Sequence, residues 1–368
     1  MIQKIKKNDL FLIYIYINVF CKGIGLENNS VFYQVLMILG AFFIIIKLFL
    51  EKYQRRELLI VVTMCFIGIA NFALTRTPTL LLTCICLSGM KYVNMDSLFK
   101  GMYYIRFVTF ISMIVLSLIG IIENSSIQVW RNGNFDTRYT LGFGHPNTLH
   151  ISLFILLSLY VYLNFDKLDL KRYIILFASN IFIYNFSKSR TGFIGCIVLI
   201  FLCIICKSNR PFVKSMLCKS PKFAFAFIMF FSYATAILYG KFSILTVLNA
   251  LLNNRIAYSS YFIRNYGLSL FGNNIENASA ILDSSYISFL ALYGIVGFIL
   301  IGIILFSICK YVEVKKDTKK IVLVLSYLVY LFTEGFGINI FMNIILFFGG
   351  KCIYKTETLE SLVEEDLK

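Results

Sequence analysis

Residues 284–309 read SSYISFLALYGIVGFILIGIILFSIC and contain no charged side chain. A helix of about 20 apolar residues is long enough to cross the hydrocarbon core of a bilayer. The apolar residues are continuous rather than alternating, so the run predicts a helix and not a strand. It therefore decides the class of the chain, which is an integral membrane protein.

Comparable apolar runs recur along the 368 residues, which are 59% hydrophobic with a mean hydropathy of +0.79. Only helices and closed barrels satisfy the backbone in lipid. We predict an all-α, polytopic membrane protein with about 12 transmembrane helices. It has a single membrane domain over residues 1–352 and a cytoplasmic tail over residues 353–368. The predicted helices are residues 8–24, 32–50, 58–75, 79–93, 104–122, 146–164, 173–187, 191–206, 222–240, 284–309, 321–333 and 338–352.

Two apolar runs need a further decision. The first follows a short basic segment and has no small-residue cleavage site, so it predicts a retained helix rather than a signal peptide. The last, from Ile321 to Gly350, is too long for one ordinary span and is interrupted by Glu334-Gly335-Phe336-Gly337. We predict a short re-entrant hairpin here, with one long tilted helix as the alternative.

The formal net charge of +16 does not indicate a nucleic-acid partner. Lys-rich connections alternate with connections that carry few basic residues, and the positive-inside rule places the Lys-rich set in the cytoplasm. Topology therefore accounts for most of the charge. The same rule predicts that the two long loops, residues 123–145 and 241–283, lie outside.

The basic residues predicted to lie outside are unusual in type. Six of the nine are Arg, although the chain has only 11 Arg against 24 Lys. The planar guanidinium suits bidentate recognition of phosphate or carboxylate. We predict that several of these Arg bind an anionic group. The alternative is that each pairs with a nearby carboxylate, namely Glu123, Asp136, Glu276 or Asp283.

The ten cysteines carry little functional information. None lies in either long loop, and most lie within predicted helices, where Cys behaves as a small apolar residue. The two close pairs, Cys84-x-Cys86 and Cys203-x-x-Cys206, have no second pair of ligands nearby. We predict neither a metal site nor a structural disulfide.

Polar motifs interrupt the apolar background at a few positions. Residues 138–147 read RYTLGFGHPN, in which Pro146 opens a helix and His145 could act as a base or as a hydrogen-bonding group. Residues 189–192 read SRTG at a tight turn. Helix capping explains the hydroxyls and the glycine of this turn, but not Arg190.

The second long loop contains a predicted amphipathic helix over residues 251–264, lying on the membrane surface. Arg255 and Arg264 are nine residues apart and fall on different faces of it. Asp283, followed by Ser284-Ser285-Tyr286, begins the next span, where an acidic residue suits the helix dipole.

These motifs resemble, in type and order, those of the Wzy-type polysaccharide polymerases of the O-antigen ligase and polymerase superfamily. The resemblance covers about residues 130–300, and Arg131 followed by Gly142 resembles an arginine-to-glycine spacing in such loops. The second loop departs from that spacing, because the glycine after Arg255 is Gly267, one residue late. The segments that carry the resemblance are Arg138-x-x-x-Gly142-Phe143-x-His145-Pro146-Asn147, Ser189-Arg190-Thr191-Gly192, Asn254-Arg255, Leu270-Phe271-Gly272-Asn273, Asp283-x-Ser285-Tyr286 and Leu292-Tyr293-Gly294-x-x-Gly297.

The resemblance implies a C-type membrane glycosyltransferase that acts on the outer face of the cytoplasmic membrane. It would transfer a growing glycan from a polyprenyl diphosphate to the next lipid-linked repeat unit, with no cofactor, nucleotide sugar or metal. Expected partners are this lipid-linked oligosaccharide, membrane lipid and other polysaccharide assembly proteins. The expected catalytic residues are His145, Arg138 and Asp283, and the expected substrate-binding residues are Arg131, Arg190, Arg255, Arg264, Asn147 and Tyr286.

Three other classes of protein remain open. A ligase of the same superfamily shares the chemistry and attaches finished polymer to an acceptor. A flippase or transporter of lipid-linked glycans would hold its charged groups at the midplane of the bundle rather than at helix ends. A scaffold or sensor would tolerate replacement of the predicted outer Arg.

Overall fold

The computed structural model describes residues 7–26, 30–131, 134–207, 211–276 and 278–354, without the side chains of Gln34, Ile38, Arg131, Asn134 and Pro211. Nearly all of the predicted tail, residues 353–368, lies outside this part. The elements are α1 (Lys7–Gly23), α2 (Val31–Leu50), α3 (Arg55–Thr75), α4 (Thr79–Ser88), α5 (Met95–Leu118), β1 (Ser126–Arg131), β2 (Asn134–Tyr139), α6 (Pro146–Asn164), α7 (Leu170–Ser187), α8 (Arg190–Lys207), α9 (Pro211–Lys219), α10 (Pro221–Leu238), α11 (Ser243–Leu251), α12 (Arg255–Asn265), α13 (Ser285–Ala291), α14 (Gly294–Lys315), α15 (Thr318–Tyr330) and α16 (Phe347–Tyr354).

The fold is mostly helical, as predicted. Within the described ranges, seven helices are long and apolar enough to cross a membrane, and large apolar side chains such as Phe49 and Phe230 lie exposed on them. Such faces are typical of a protein surrounded by lipid. The predicted number of about 12 spans stays a prediction. The seven are α2, α3, α5, α6 with the short turn that follows it, α8, α10 and α14.

The chain divides into two compact units. The first contains residues 1–51 and 93–209, and the second contains residues 52–92 and 210–368. The predicted single membrane domain stays a prediction. In the first unit, α6 packs against α5, α7 and α8, and 78% of its most apolar segment is buried. Helix α6 is therefore the core element on which this unit's polar groups are placed.

A β-hairpin lies in the loop predicted over residues 123–145, so the all-α prediction is wrong at this position. Strands β1 and β2 pair antiparallel from Ser126 opposite Tyr139 to Arg131 opposite Asn134. Asn132-Gly133 lies between the two strands, and Asn-Gly is a strong signal for a two-residue hairpin turn. The conformation of those two residues lies outside the described part.

The run at residues 284–309, predicted as one helix, is two helices in the second unit. Helix α13 ends at Ala291 and α14 begins at Gly294, which has a φ of +71°. The amides of Ile295 and Val296 donate to the carbonyls of Ser269 and Leu270, at 2.9 and 3.0 Å. A tertiary contact with an upstream loop therefore breaks a run whose hydropathy is uniform.

Glycine is required on both sides of this contact. A Cβ on Gly272, whose φ is +105°, would lie 2.0 Å from the Leu292 carbonyl oxygen. A Cβ on Gly294 would lie 2.3 Å from the Gly272 nitrogen. The side-chain amide of Asn71 on α3 donates to the Phe271 and Leu292 carbonyls. Two glycine motifs that are distant in the sequence thus form one packed unit.

Several further boundaries differ from the prediction. Helix α5, predicted from residue 104, begins at Met95, and α4, predicted to end at residue 93, ends at Ser88. The helix predicted over residues 251–264 begins at Arg255, because Asn253 and Asn254 adopt left-handed backbone conformations. The helix predicted over residues 338–352 begins only at Phe347, after a short 3₁₀ turn. The interruption after Tyr330 is confirmed, so residues 321–350 are not one long helix.

Candidate functional site

Three residues of the RYTLGFGHPN and SRTG stretches converge with Ser187, the last residue of α7, in the first unit. Arg138 on β2 donates from Nε to the Ser187 carbonyl at 2.8 Å and from Nη2 to the Asn147 side-chain oxygen at 2.5 Å. Ser189 Oγ donates to the same Asn147 oxygen at 3.1 Å. We call Arg138, Asn147, Ser187 and Ser189 the arginine–asparagine cluster. It joins a strand, the start of α6 and the turn between α7 and α8.

His145 is the N-cap of α6. Its Nδ1 accepts a hydrogen bond from the Asn147 backbone amide at 3.1 Å, and Pro146 occupies the first helical position. This arrangement satisfies one of the unpaired amides at the helix start. A neutral His145 that accepts at Nδ1 carries its proton on Nε2, so acting as a base requires loss of the cap. The geometry therefore favours the hydrogen-bonding alternative for His145.

The second histidine, His150, is a polar residue of the core that the sequence reasoning missed. It is fully buried on α6, with Nε2 2.8 Å from the Asn180 side-chain oxygen and Nδ1 2.9 Å from Ser187 Oγ. The Asn180 amide nitrogen donates to the Phe193 carbonyl, so the Asn180 oxygen faces His150 as an acceptor. His150 therefore donates from Nε2 and links α6 to α7, and Asn180 in turn links α7 to α8. A buried histidine in an apolar helix is a signal for such a role.

This packing explains the glycine of the SRTG turn. A Cβ on Gly192 would lie 2.5 Å from the Cγ of His150. Arg190, the first residue of α8, is half-buried, and its guanidinium makes no hydrogen bond or ion pair with the described residues. A cation beside a helix N-terminus is a favourable place for an anion. The predicted Arg131 belongs to β1, but its side chain lies outside the described part.

The second unit contains a buried group of three charges. Arg255, at the start of α12, lies with Nε 3.4 Å from Asp283 Oδ2 and with Nη1 3.0 Å from Glu334 Oε1. The side chains of Arg255 and Glu334 are only 7% and 6% exposed, and that of Asp283 is 28% exposed. We call these residues the ion triad. With one cation and two carboxylates, its formal charge is −1 when both carboxyls are ionised.

The excess negative charge makes Arg255 a poor ligand for a further anion and Asp283 a candidate base. Burial raises the pKa of Asp283 above its usual value, and Arg255 opposes part of that rise. Glu334 competes for the same guanidinium. Sequence reasoning used Glu334 only as a helix breaker, although a lone carboxylate within an apolar stretch is itself a signal of function.

A small cavity of about 10 Å³ adjoins Arg255, which is close to the space that one water molecule needs. Several hydroxyl-bearing residues line it, including Ser232, Thr235 and Ser284. The hydroxyls of Ser232 and Thr235 donate to carbonyls of their own helix, so each oxygen keeps its capacity to accept. Ser284 Oγ is buried and makes no hydrogen bond with the described residues. These groups fit a water or an alcohol hydroxyl better than an anion.

In the described part of the chain, the other two predicted residues, Tyr286 and Arg264, make no ion pair or hydrogen bond with the ion triad and have partners of their own. Tyr286 is fully buried, and its hydroxyl donates to the Leu328 carbonyl at 2.9 Å, so it supports α13 rather than offering a surface to a ligand. Arg264 is exposed and donates to the Tyr239 carbonyl at 2.8 Å. Arg255 and Arg264 thus have different surroundings, as their spacing predicted.

Comparison with known protein families, with curated proteins and with solved structures finds no match.

Proposed function

We propose that the protein is a polysaccharide polymerase. It joins polyprenyl-diphosphate-linked oligosaccharide repeat units on the outer face of the cytoplasmic membrane, as a C-type glycosyltransferase with about 12 spans and without a metal. The observation that carries the proposal is the convergence of Arg138, Asn147 and Ser189 from a strand, a helix start and a turn. These residues belong to two of the sequence motifs that resemble the Wzy-type polymerases, at residues 138–147 and 189–192.

The leaving group of this reaction is a diphosphate, whose developing charge needs cationic and hydrogen-bonding partners. The contacts of Arg138 with the Ser187 carbonyl and the Asn147 side chain hold the guanidinium in one orientation. Arg190 lies at the start of α8, where the helix dipole also favours an anion. We assign Arg138 and Arg190 to the diphosphate.

The acceptor must lose a proton from a sugar hydroxyl. In the proposed step, the hydroxyl oxygen bonds to the anomeric carbon of the donor, and the bond from that carbon to the diphosphate oxygen breaks. The proton passes to solvent water. Within the second unit, the raised pKa of Asp283 suits a base. Glu334 acts as a positioning residue, because it shares Arg255 with Asp283.

Polymerisation by the purified protein tests the proposal. The full chain in detergent, with a chelator present, should convert lipid-linked repeat units into a ladder of longer glycans. Arg138→Ala and Arg190→Ala should lower the rate at least about tenfold, as expected for the loss of a charge-assisted contact of about 1.5–3 kcal/mol. Arg172→Ala is the matched control, since Arg172 is partly exposed and pairs with Asp169 at 3.5 Å.

Three outcomes would contradict the polymerase. A requirement for a nucleotide sugar or an added divalent metal would refute the mechanism. Full activity in both Arg variants would refute the assignment of Arg138 and Arg190 to the diphosphate. Transfer of finished polymer to a separate acceptor, with no lengthening of lipid-linked repeats, would indicate the ligase instead.

A transporter of lipid-linked oligosaccharides is the second candidate. The observation in its favour is the broken helix at residues 292–294 in the unit that holds the buried ion triad, because transporters bind charged groups at discontinuous helices. An assay in vesicles that contain the protein and a fluorescent lipid-linked oligosaccharide distinguishes a transporter from a polymerase. Movement of the lipid between leaflets without chain growth supports the transporter.

A further inference from the structure

One face of the β-hairpin is aromatic and exposed. The register places Trp130 opposite Phe135, Gln128 opposite Thr137, and Ser126 opposite Tyr139. Because side chains alternate along a strand, these six residues share one face. Trp130 and Phe135 are 61% and 66% exposed, and their rings make an edge-to-face contact at 4.8 Å. We call this surface the aromatic face.

The opposite face holds the hairpin in place. Arg138 points there, is 6% exposed and bonds to the arginine–asparagine cluster, whereas its strand neighbour Tyr139 is 40% exposed on the aromatic face. The hairpin is thus anchored on one side and open on the other. Large aromatic side chains left in the open are typical of a binding surface. Strand β2 also carries Arg138, which we assign to the diphosphate, on its opposite face.

The chemistry of the aromatic face indicates its ligand. All six of its residues are uncharged, which disfavours an anionic headgroup or a nucleic acid. An amide and two aliphatic hydroxyls lie beside the rings, on Gln128, Thr137 and Ser126. A pyranose ring offers the complement, with an apolar C–H face for an aromatic ring and hydroxyls at its edge for hydrogen bonds. A lipid acyl chain would leave the polar groups unmatched.

We propose that the aromatic face binds uncharged sugar residues of an oligosaccharide. The sugars stack on Trp130 and Phe135 and bond to Gln128 and Thr137. The inference rests on the proposed function for the source of the glycan, since the repeat unit next to the diphosphate is the occupant that this position fits. Binding itself needs no catalysis, so it can be measured separately.

Trp130 is the only tryptophan of the chain, so its fluorescence reports on this face alone. The full chain in nanodiscs is titrated with neutral oligosaccharides obtained by partial hydrolysis of the producing cell's own surface polysaccharide. We expect a saturable change of emission. Phe135→Ala and Gln128→Ala, both at exposed positions, should each weaken binding by about two- to tenfold. Tyr104→Ala, at a 57% exposed aromatic on α5, should leave it unchanged.

A second experiment tests the alternative that the aromatic face lies in the membrane interface. Nanodiscs with brominated acyl chains quench a tryptophan that lies in the membrane interface. Strong quenching that the oligosaccharides do not relieve would overturn the inference in favour of a membrane anchor, as would the absence of any saturable response. Polymerisation without a tryptophan response would refute this inference and leave the proposed function standing. Saturable binding without polymerisation would refute the proposed function and leave this inference standing.

Discussion

The ion triad makes an asymmetric prediction about stability. Arg255→Gln leaves Asp283 and Glu334 without their shared cation, and Glu334 is 6% exposed. Removal of one partner from a buried ion pair costs about 3–5 kcal/mol. Glu334→Gln keeps an oxygen that accepts from Arg255 and leaves a balanced pair with Asp283. It loses only the charge assistance of one hydrogen bond, which is about 1 kcal/mol.

Thermal unfolding in detergent measures this difference. A loss of 1 kcal/mol lowers the Tm of a unit of about 200 residues by about 2–4 °C. We therefore expect Arg255→Gln to lower the Tm by about 6–20 °C and Glu334→Gln by about 2–4 °C. A thiol-reactive dye can follow the transition, because Cys84, Cys86 and Cys309 are buried in the second unit. Arg264→Gln is the control on the same helix, with an exposed side chain and an expected change under about 0.5 kcal/mol.

The double variant Arg255→Gln with Glu334→Gln completes a double-mutant cycle of thermal stability. If the two carboxylates share one cation, Glu334 is unfavourable once Arg255 is gone. Arg255→Gln with Glu334→Gln should then be more stable than Arg255→Gln alone. The reasoning fails if Glu334→Gln lowers the Tm as far as Arg255→Gln does, or if the two losses simply add.

Four further predictions concern packing, protonation and topology. Gly272→Ala should sharply lower the Tm, since its Cβ would meet backbone at 2.0 Å, whereas Gly267→Ala, with open space around it, should not. Gly192→Ala should cost about 1–3 kcal/mol through overpacking against His150, and His150→Ala should relieve part of that loss. Because the pKa of Asp283 is raised, folded protein binds more protons than unfolded protein between the usual aspartate pKa and the raised one. Stability should fall as pH rises through that window, and Asp283→Asn should remove this slope in Tm-versus-pH curves. In a cysteine-free background, Asn274→Cys should react with an impermeant thiol reagent in intact cells and Lys171→Cys should not; the reverse pattern would invert the proposed orientation.

Hydropathy predicted most helices within a few residues, because burial in lipid is a property of the segment itself. The break at Gly294 and the late start of α16 were not predicted, since tertiary contacts and backbone conformation determine both. The hairpin could have been predicted, because Asn132-Gly133 is a strong signal for a two-residue hairpin turn.

Some polar residues of the two clusters were predicted from the sequence, and others were not. The order of the motifs predicted that Arg138, Asn147 and the SRTG turn contribute to one site. In the structure, hydrogen bonds join Arg138, Asn147 and Ser189. Glu334 and His150 were missed because each is a single residue in an apolar run, with no motif around it. Their partners, Arg255 and Asn180, are 79 and 30 residues away in the sequence. Only the folded chain shows such pairs.

The broken run at residues 284–309 also bears on how the chain is made. A translocon that responds to apolar content would accept this segment as a single span, so the break carries no penalty at insertion. The loop that imposes it, from Ser269 to Asn273, leaves the ribosome before Ile295 and Val296 do. The carbonyls of Ser269 and Leu270 that accept these hydrogen bonds are therefore already synthesised when Ile295 and Val296 emerge. Synthesis order thus permits α13 and α14 to separate during biogenesis, without rearrangement of a completed helix.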